Sequence, residues 1–230
     1  MSSAIGSIGR LERVTLGERV YRELKELLMA GELMPGDKLS LRTVATQLGV
    51  SMMPVRDAVA RLVAEDALAV SPSRAVSVPV MTRRRFRELK TLRLVLEGHA
   101  AEEAARQRTP ADLKAMRKFD AQFRAAVGGS EPDAAVALRW NKSLHFAVYA
   151  AAASPSLVAI IEGLWLKVGP VINLDIRGSA ERLAVGQAEV LHGRMVAAIE
   201  AGDAAGARAA LAEDISRSAD FIEATGNLPD

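Results

Sequence analysis

Four polar residues in the second half of the chain have the types and the spacing of metal ligands. Asn141 and His145 lie four residues apart, so in a helix they share one face. His192 and Asp214 each lie eleven residues from Asp203, which occupies a predicted turn, so a helical hairpin about that turn brings them together. Two imidazoles, a carboxylate and an amide oxygen form a partial ligand shell for Zn²⁺, Ni²⁺ or Mn²⁺. The same spacing also fits two core histidines bonded to an amide and a carboxylate, and both interpretations stay open at this point.

A second pair of charged residues, Arg93 and Glu97, lies one helical turn apart. Such a pair is usually an exposed ion pair that contributes about 0.3–0.5 kcal/mol. Here both residues lie inside an apolar run over residues 92–101, which favours burial. A buried guanidinium needs an anion, so the pair is a candidate binding element, with an exposed ion pair as the alternative.

Composition excludes several classes of protein. The 230-residue chain has no cysteine, which excludes a disulfide scaffold, an iron–sulfur protein, a thiolate zinc site and a cysteine nucleophile, and fits a reducing cytoplasm. Half of the residues are apolar and only 4% are aromatic, which favours a sizeable helical core. Residues 1–16 contain no long apolar stretch, so we expect no signal peptide and a cytoplasmic protein.

The elements of residues 14–80 follow the order of a winged helix-turn-helix domain. Apolar residues from Leu16 to Leu28 recur at helical spacing, and a second helix is predicted between an N-cap at Ser40 and a terminating Gly49. A third helix is capped at Ser51, and a β-hairpin follows around residues 71–74. This order predicts a DNA-binding domain.

The helix that begins at Ser51 is predicted to enter the major groove. Met52, Arg56 and Ala60 lie opposite its buried apolar stripe and are therefore expected to be exposed. Arg56 can bond a guanine edge or a phosphate. Ser51 and the helix N-terminus can bind a phosphate through backbone N–H groups.

Two further arginines flank this helix. Arg42 lies in the preceding predicted helix and Arg74 at the tip of the hairpin, so both can reach the DNA backbone. The alternative is that Arg42, Arg56 and Arg74 are solvated surface arginines.

Residues 81–226 show helical patterns and no convincing strand. The predicted helices, separated by turn residues, lie near residues 83–107, 110–127, 133–153, 156–176, 179–201 and 204–225. Helices of this length joined by short turns form an antiparallel bundle of six or seven helices. The fold class is therefore mainly α, with an N-terminal winged domain.

The motifs of the first part identify a family resemblance. Residues 31–39 (GELMPGDKL) and 48–58 (LGVSMMPVRDA) resemble the DNA-binding domain of GntR-family bacterial transcription regulators, and the match spans nearly all of residues 14–80. Two positions depart from the family pattern, with Met52 where an arginine is usual and Ala75 where a glycine follows the wing-tip arginine. Loss of one phosphate-binding cation lowers the slope of log binding constant against log salt concentration by about 0.9 per contact. Met52 can contact a thymine methyl instead.

The second part resembles the FCD effector domain of the FadR subfamily of GntR regulators, over about residues 83–222. The matching residues are Arg93-x-x-x-Glu97, Asn141-x-x-x-His145, and His192 with the segment 198–203 and Asp214. The resemblance implies a divalent metal bound by an aspartate and three histidines, with a small carboxylate effector beside it.

This chain departs from the family's metal ligands at two positions. Asn141 falls at the usual aspartate and Asp214 at the usual last histidine, so one carboxylate is lost and another gained. We predict a rearranged and weaker metal site. The rival is a metal-free pocket in which Arg93, with Glu97 beside it, holds the effector carboxylate directly.

Together these features predict a ligand-responsive transcription regulator that binds an inverted-repeat operator as a homodimer. One alternative is a metal-dependent helical enzyme, against which stand the lack of a Glu-x-x-His pair and of a general base beside the metal set. Another is an architectural DNA-binding dimer with an inert bundle. The identity of the effector, the operator and the direction of regulation do not follow from the sequence.

Overall fold

The computed structural model describes residues 15–128, 133–172 and 187–230. It confirms a mainly helical protein with an N-terminal winged unit and a C-terminal helical bundle. The winged unit contains α1 Leu16–Met29, β1 Lys38–Leu39, α2 Leu41–Leu48, α3 Met52–Ala64, β2 Ala69–Val70 and β3 Val76–Ser77. The bundle contains α4 Arg83–Gln107, α5 Pro110–Val127, α6 Ala134–Ala151, α7 Pro155–Ile172, α8 Ala188–Ala201 and α9 Ala204–Ala224.

The caps of the winged unit follow the local sequence. The Ser40 hydroxyl accepts a hydrogen bond from the Thr43 backbone N–H at the start of α2, and Gly49 ends that helix with a φ of 63°. The predicted hairpin is present as β2 and β3. The sequence pattern did not predict β1, which pairs antiparallel with β3 and completes a three-stranded sheet in the order β1-β3-β2.

The bundle is held by antiparallel neighbours joined by short turns. Helix α4 packs along α9, α5 packs along α6, and α8 and α9 form a hairpin. Thr109 and Asp112 form a capping box at the start of α5, and Asp203 caps α9 by accepting from the Gly206 N–H. The predicted helices near 156–176 and 179–201 are observed over residues 155–172 and 188–201, and their remaining residues 173–186 lie outside the described part.

The two units are packed tightly against each other. Helix α1 lies on α7, and the buried apolar residues of the winged unit and of the bundle form one continuous cluster. Lys25 of α1 pairs with Glu162 of α7 at 2.6 Å, and Lys142 of α6 pairs with Glu26 of α1. Close approach is permitted by Gly169 of α7, which lies against the α1 backbone.

Helix α7 is long and apolar enough to cross a membrane by length and composition alone. Half of this helix is buried inside the protein, where Trp165 and Val168 pack in the core. Its apolar character is therefore explained by its packing position between the two units.

Gly169→Ala is expected to lower the free energy of unfolding, because a Cβ there would lie 2.5 Å from the Leu28 carbonyl oxygen. Gly163→Ala, on the same helix, meets no atom within 4 Å and serves as the matched control. Alanine is favoured over glycine in helices by about 1 kcal/mol, so the control is expected to be at least as stable as the wild type. Urea unfolding followed by circular dichroism measures both variants. Equal stabilities would contradict the close packing of α7 on α1.

Candidate functional site

Three of the four predicted metal ligands meet in the bundle. His145 of α6, His192 of α8 and Asp214 of α9 each offer a donor atom, and these atoms all lie within 4.8 Å of one another. His145 Nε2 is 3.3 Å from Asp214 Oδ2, and His192 Nε2 is 3.8 Å from Asp214 Oδ1. Both histidines are buried, and the Asp214 side chain is 16% exposed. The α8–α9 hairpin about Asp203 therefore places His192 opposite Asp214.

Three imidazole nitrogens in this cluster lack hydrogen-bond partners among the residues that the structure describes. They are His145 Nε2 and both ring nitrogens of His192, and all three atoms are buried. Although His145 Nε2 lies near the Asp214 carboxylate, the two groups do not have hydrogen-bond geometry. Unsatisfied buried polar atoms are rare in folded proteins, and a cation beside the Asp214 carboxylate would satisfy His145 Nε2 and one of the two His192 nitrogens. The residues therefore fit a divalent metal with nitrogen and oxygen ligands.

Burial and neighbouring charges determine the protonation states of His192 and Asp214. Burial lowers the pKa of His192 to about 4, against the opposing effect of the Asp214 charge, so the ring is neutral at pH 7. Burial acts to raise the pKa of Asp214, but His145, His192 and Arg93 outweigh it, and the net pKa lies below its usual value. At neutral pH His192 is thus neutral and Asp214 is ionised, as metal binding requires of both groups.

Asn141, the fourth predicted ligand, lies one turn before His145 on α6 and is partly exposed. Because residues four apart share a helix face, its side chain is on the same side of α6 as the His145 ring. Its role as a ligand stays a prediction.

Arg93 and Glu97 form a buried ion pair on α4. Arg93 is 6% exposed and Glu97 is fully buried, with Arg93 Nε 2.6 Å from Glu97 Oε1 and Nη2 3.1 Å from Oε2. The structure thus selects the buried alternative over an exposed pair. Burial opposes the charge on Arg93, but Glu97 more than compensates, and the pKa of Arg93 is raised.

Two aromatic residues that the sequence analysis did not select complete the surroundings of Glu97. The Tyr149 hydroxyl donates to Glu97 Oε2, and Trp165 Nε1 donates to Oε1 at 3.2 Å. The Tyr149 hydroxyl also lies 2.9 Å from His145 Nδ1. One side chain, that of Tyr149, therefore connects Glu97 to the cluster of His145, His192 and Asp214. The position of Tyr149 four residues after His145 was a usable signal, whereas Trp165 comes from another helix.

The exposed face of α3 differs in one position from the prediction. Met52 is partly buried against the core, and Met53 is 66% exposed. The reason is the helical period, because Met52 precedes buried Val55 by three residues while Met53 precedes exposed Arg56 by three. Met52 is therefore less exposed than predicted, and its contact with DNA stays a prediction.

The remaining predicted DNA contacts are exposed. Arg42, Arg56 and Arg74 all face solvent, and in the described part of the chain no acidic side chain pairs with them. Ser51 occupies the N-cap position of α3, yet its hydroxyl forms no capping bond, in contrast to Ser40. The Ser51 hydroxyl and the first N–H groups of α3 therefore remain available to a phosphate.

Comparison with known proteins identifies both units. Residues 16–78 match the bacterial regulatory proteins of the gntR family, and residues 88–217 match the FCD domain. The chain belongs to the GntR family of bacterial transcription regulators, with an FCD domain.

Individual GntR-family relatives agree with this assignment. The chain is 32% identical over 205 residues to the HTH-type transcriptional regulator McbR of Escherichia coli (strain K12), covering 89% of this chain and 91% of McbR. The solved structure of E. coli McbR/YncC matches with a TM-score of 0.85 at 30% identity, covering 93% of this chain and 100% of that chain. A GntR regulator from Rhodococcus sp. RHA1 has the same fold, with a TM-score of 0.72 at 23% identity over 90% and 97% of the two chains.

Membership of the GntR family decides between the alternatives left by the sequence. Transcription regulators of this family are DNA-binding proteins, so this chain is a regulator with a ligand-binding FCD domain and not an enzyme. The wing tip shows how this GntR protein accommodates Ala75. Arg74 itself takes the left-handed conformation, with a φ of 64°, and the Ser71 hydroxyl accepts from the Ala75 N–H.

Proposed function

We propose that this GntR-family protein is a cytoplasmic regulator of the FadR subfamily that binds an inverted-repeat operator as a homodimer. In this proposal the bundle senses a small carboxylate together with a divalent metal. The observation that carries it is the cluster of unpartnered, buried imidazole nitrogens facing the Asp214 carboxylate. An inert dimerisation bundle gives no reason for leaving such atoms unsatisfied.

The DNA-binding part of the proposal rests on the exposed face of α3. Arg56 and Met53 share that face, Arg42 lies on the preceding helix, and Arg74 projects at the wing tip. We assign Arg56 to a base edge or an adjacent phosphate, and Arg42, Arg74 and Ser51 to the DNA backbone. We keep Met52 as a proposed contributor to DNA binding. Because its side chain packs partly against the core, it acts mainly by fixing the position of α3.

Arg56→Ala is expected to weaken binding to DNA selected from a random pool by the wild-type protein. Loss of a bidentate base contact costs about 1–3 kcal/mol and relaxes specificity at one position, whereas loss of a phosphate contact lowers the salt slope by about 0.9. Fluorescence anisotropy over a range of salt concentrations distinguishes these two outcomes. Arg106→Ala, an exposed arginine at the end of α4, is the control for loss of one charge. Equal affinities of the two variants would remove Arg56 from recognition.

The proposed metal site consists of His145, His192 and Asp214, with Asn141 as a further oxygen donor. A metal bound there supplies a fixed positive charge to which an anionic effector can be drawn. The chain's own residues bring two imidazoles and one carboxylate from three helices to one point. Nitrogen and oxygen ligands without sulfur suit Zn²⁺, Ni²⁺ or Mn²⁺.

Asp214→Asn is expected to abolish or strongly reduce stabilisation by metal, because it removes the only carboxylate among the proposed ligands. In the chelator-treated wild type, Zn²⁺, Ni²⁺ or Mn²⁺ at 100 times its dissociation constant stabilises the fold by about 2.7 kcal/mol, measured as a rise in melting temperature. Asp220→Asn, on the exposed side of the same helix, is the matched control and retains the rise. The absence of a rise in the wild type with all three metals would show that the site is metal-free.

The proposed carboxylate effector is held by Arg93. Glu97 occupies the guanidinium edge formed by Nε and Nη2, and a second carboxylate can engage the opposite edge bidentately. The Arg93 guanidinium lies 5.1 Å from the centroid of the Trp165 ring, and the centroid of that ring lies 5.6 Å from that of the His145 ring, so Arg93 is close to the proposed metal ligands. The melting assay with metal and a panel of mono- and dicarboxylates tests this assignment, with a further rise expected for an acid that binds.

The proposed homodimer has a candidate interface on α4. Leu92 and Val95, three residues apart, are 41% and 54% exposed although both are large and apolar. A two-fold interface requires a self-complementary patch, and an apolar strip along one helix meets that requirement. Effector binding would then shift DNA affinity by its preference for one arrangement of the two winged units.

Leu92→Glu and Val95→Glu are expected to dissociate the dimer, because each places a charge in an apolar contact. Sedimentation velocity measures the oligomeric state, and affinity for an inverted repeat is expected to fall in parallel. Ile160→Glu on α7, which is 54% exposed outside the proposed interface, is the control and stays dimeric. Dimers of unchanged stability in both α4 variants would place the interface elsewhere.

A further inference from the structure

Three buried side chains, those of Glu97, Tyr149 and His145, connect the ion pair on α4 to the proposed metal ligands. Glu97 accepts from Tyr149, and the Tyr149 hydroxyl lies 2.9 Å from His145 Nδ1. The opposite nitrogen of the same ring, His145 Nε2, is the one that faces Asp214. The two ends of the His145 ring therefore face different groups, a hydroxyl and a carboxylate.

Counting protons along this chain determines which nitrogen of His145 carries hydrogen. A carboxylate only accepts, and a tyrosine has a single hydroxyl proton, so the bond to Glu97 uses the proton of Tyr149. The Tyr149 oxygen can then only accept from its second neighbour. The contact at 2.9 Å is therefore a bond from His145 Nδ1–H to the Tyr149 oxygen.

We propose that Tyr149 is a positioning residue that keeps the proton of His145 on Nδ1 and so reserves Nε2, the nitrogen facing Asp214, for the metal. This inference rests on the proposed function and deepens it. Histidine ligands of metals commonly donate their other ring N–H to a carboxylate or carbonyl, which fixes the ring and its tautomer. Here His145 donates to the Tyr149 hydroxyl, which in turn donates to the Glu97 carboxylate.

The surroundings of Glu97 hold this arrangement in one orientation. Arg93 donates two bonds to Glu97 and Trp165 donates one, so the carboxylate is held by groups from two helices besides Tyr149. Burial, together with the Glu97 charge, raises the pKa of Tyr149 well above its usual value, so the phenol keeps the proton that it donates.

Charge neutralisation also favours this role. The positive charge of Arg93 cancels that of Glu97, so Asp214 contributes the net negative charge of the cluster. A metal bound at His145 Nε2 would lie beside that charge, while Nδ1 keeps its proton toward Tyr149.

The competing arrangement reverses both bonds of Tyr149. If His145 carried its proton only on Nε2, Nδ1 would accept from the hydroxyl, and Tyr149 would lose its bond to Glu97. Nε2 would then be unable to act as a metal ligand without a change of tautomer. The two arrangements differ in the protonation of a single atom, which ¹⁵N NMR measures directly.

The test combines ring-¹⁵N histidine NMR of the metal-free full chain with calorimetric titration of Zn²⁺. The chain has only three histidines, so signals are assigned with His99→Gln and His192→Gln variants. At mildly alkaline pH we expect His145 of the wild type to show a protonated Nδ1, and Tyr149→Phe to show a mixture of tautomers. We expect Tyr149→Phe to bind Zn²⁺ about 10–100-fold more weakly.

Tyr21→Phe is the matched control, because it removes a tyrosine bond to a carboxylate, that of Glu65, in the winged unit. It should leave both the His145 tautomer and the Zn²⁺ affinity unchanged. A purely structural role of Tyr149 would lower the melting temperature without changing the tautomer.

Two results would overturn the inference. These are an unprotonated Nδ1 in the wild type, and Zn²⁺ affinity in Tyr149→Phe equal to that of the wild type. If the wild type binds no Zn²⁺ while His145 Nδ1 is protonated, the proposed metal function fails and the assignment of the tautomer to Tyr149 is supported.

Discussion

The buried carboxylate of Glu97 is the interaction on which the bundle depends. An ionised group without water needs compensation from charge and hydrogen bonds, or it destabilises the fold by several kcal/mol. Glu97 receives it from Arg93 on its own helix, Tyr149 on α6 and Trp165 on α7. Because these donors come from three helices, satisfying one charge fixes how α4, α6 and α7 lie together. The position of His145, which lies on α6, follows from that arrangement.

Much of the fold was predictable because its signals are local. Caps such as Ser40 and Asp203 and the left-handed Gly49 mark helix ends within a few residues. The strand β1 was not predictable in this way, since two residues carry no periodicity and form a strand only by pairing with β3. Met52 is less exposed than predicted for a different reason, because at the first residue of a helix a shift of one residue separates the core-facing side from the solvent-facing side.

The candidate site also contains contacts that local spacing predicts and contacts that only tertiary packing determines. The meeting of His192 and Asp214 could be predicted because both lie equally far from one turn, and the helix period placed Asn141 beside His145. The partners of Glu97 were harder to find from the sequence. Spacing showed that Arg93 and Glu97 can pair, but contact with Trp165 depends on how α7 packs across α4. Tertiary packing, which no local pattern encodes, determines this contact.

Helix α6 links the two ends of the molecule. Its inner face carries His145 in the bundle, and three residues earlier Lys142 reaches Glu26 on the first helix of the winged unit. A helix of 18 residues is stiff over one turn, so a displacement of Lys142 is transmitted almost undiminished to His145. Exchange of Lys142, whose side chain is only 14% exposed, would therefore change how the winged unit is joined to the helix that carries His145, without altering either His145 or the exposed face of α3.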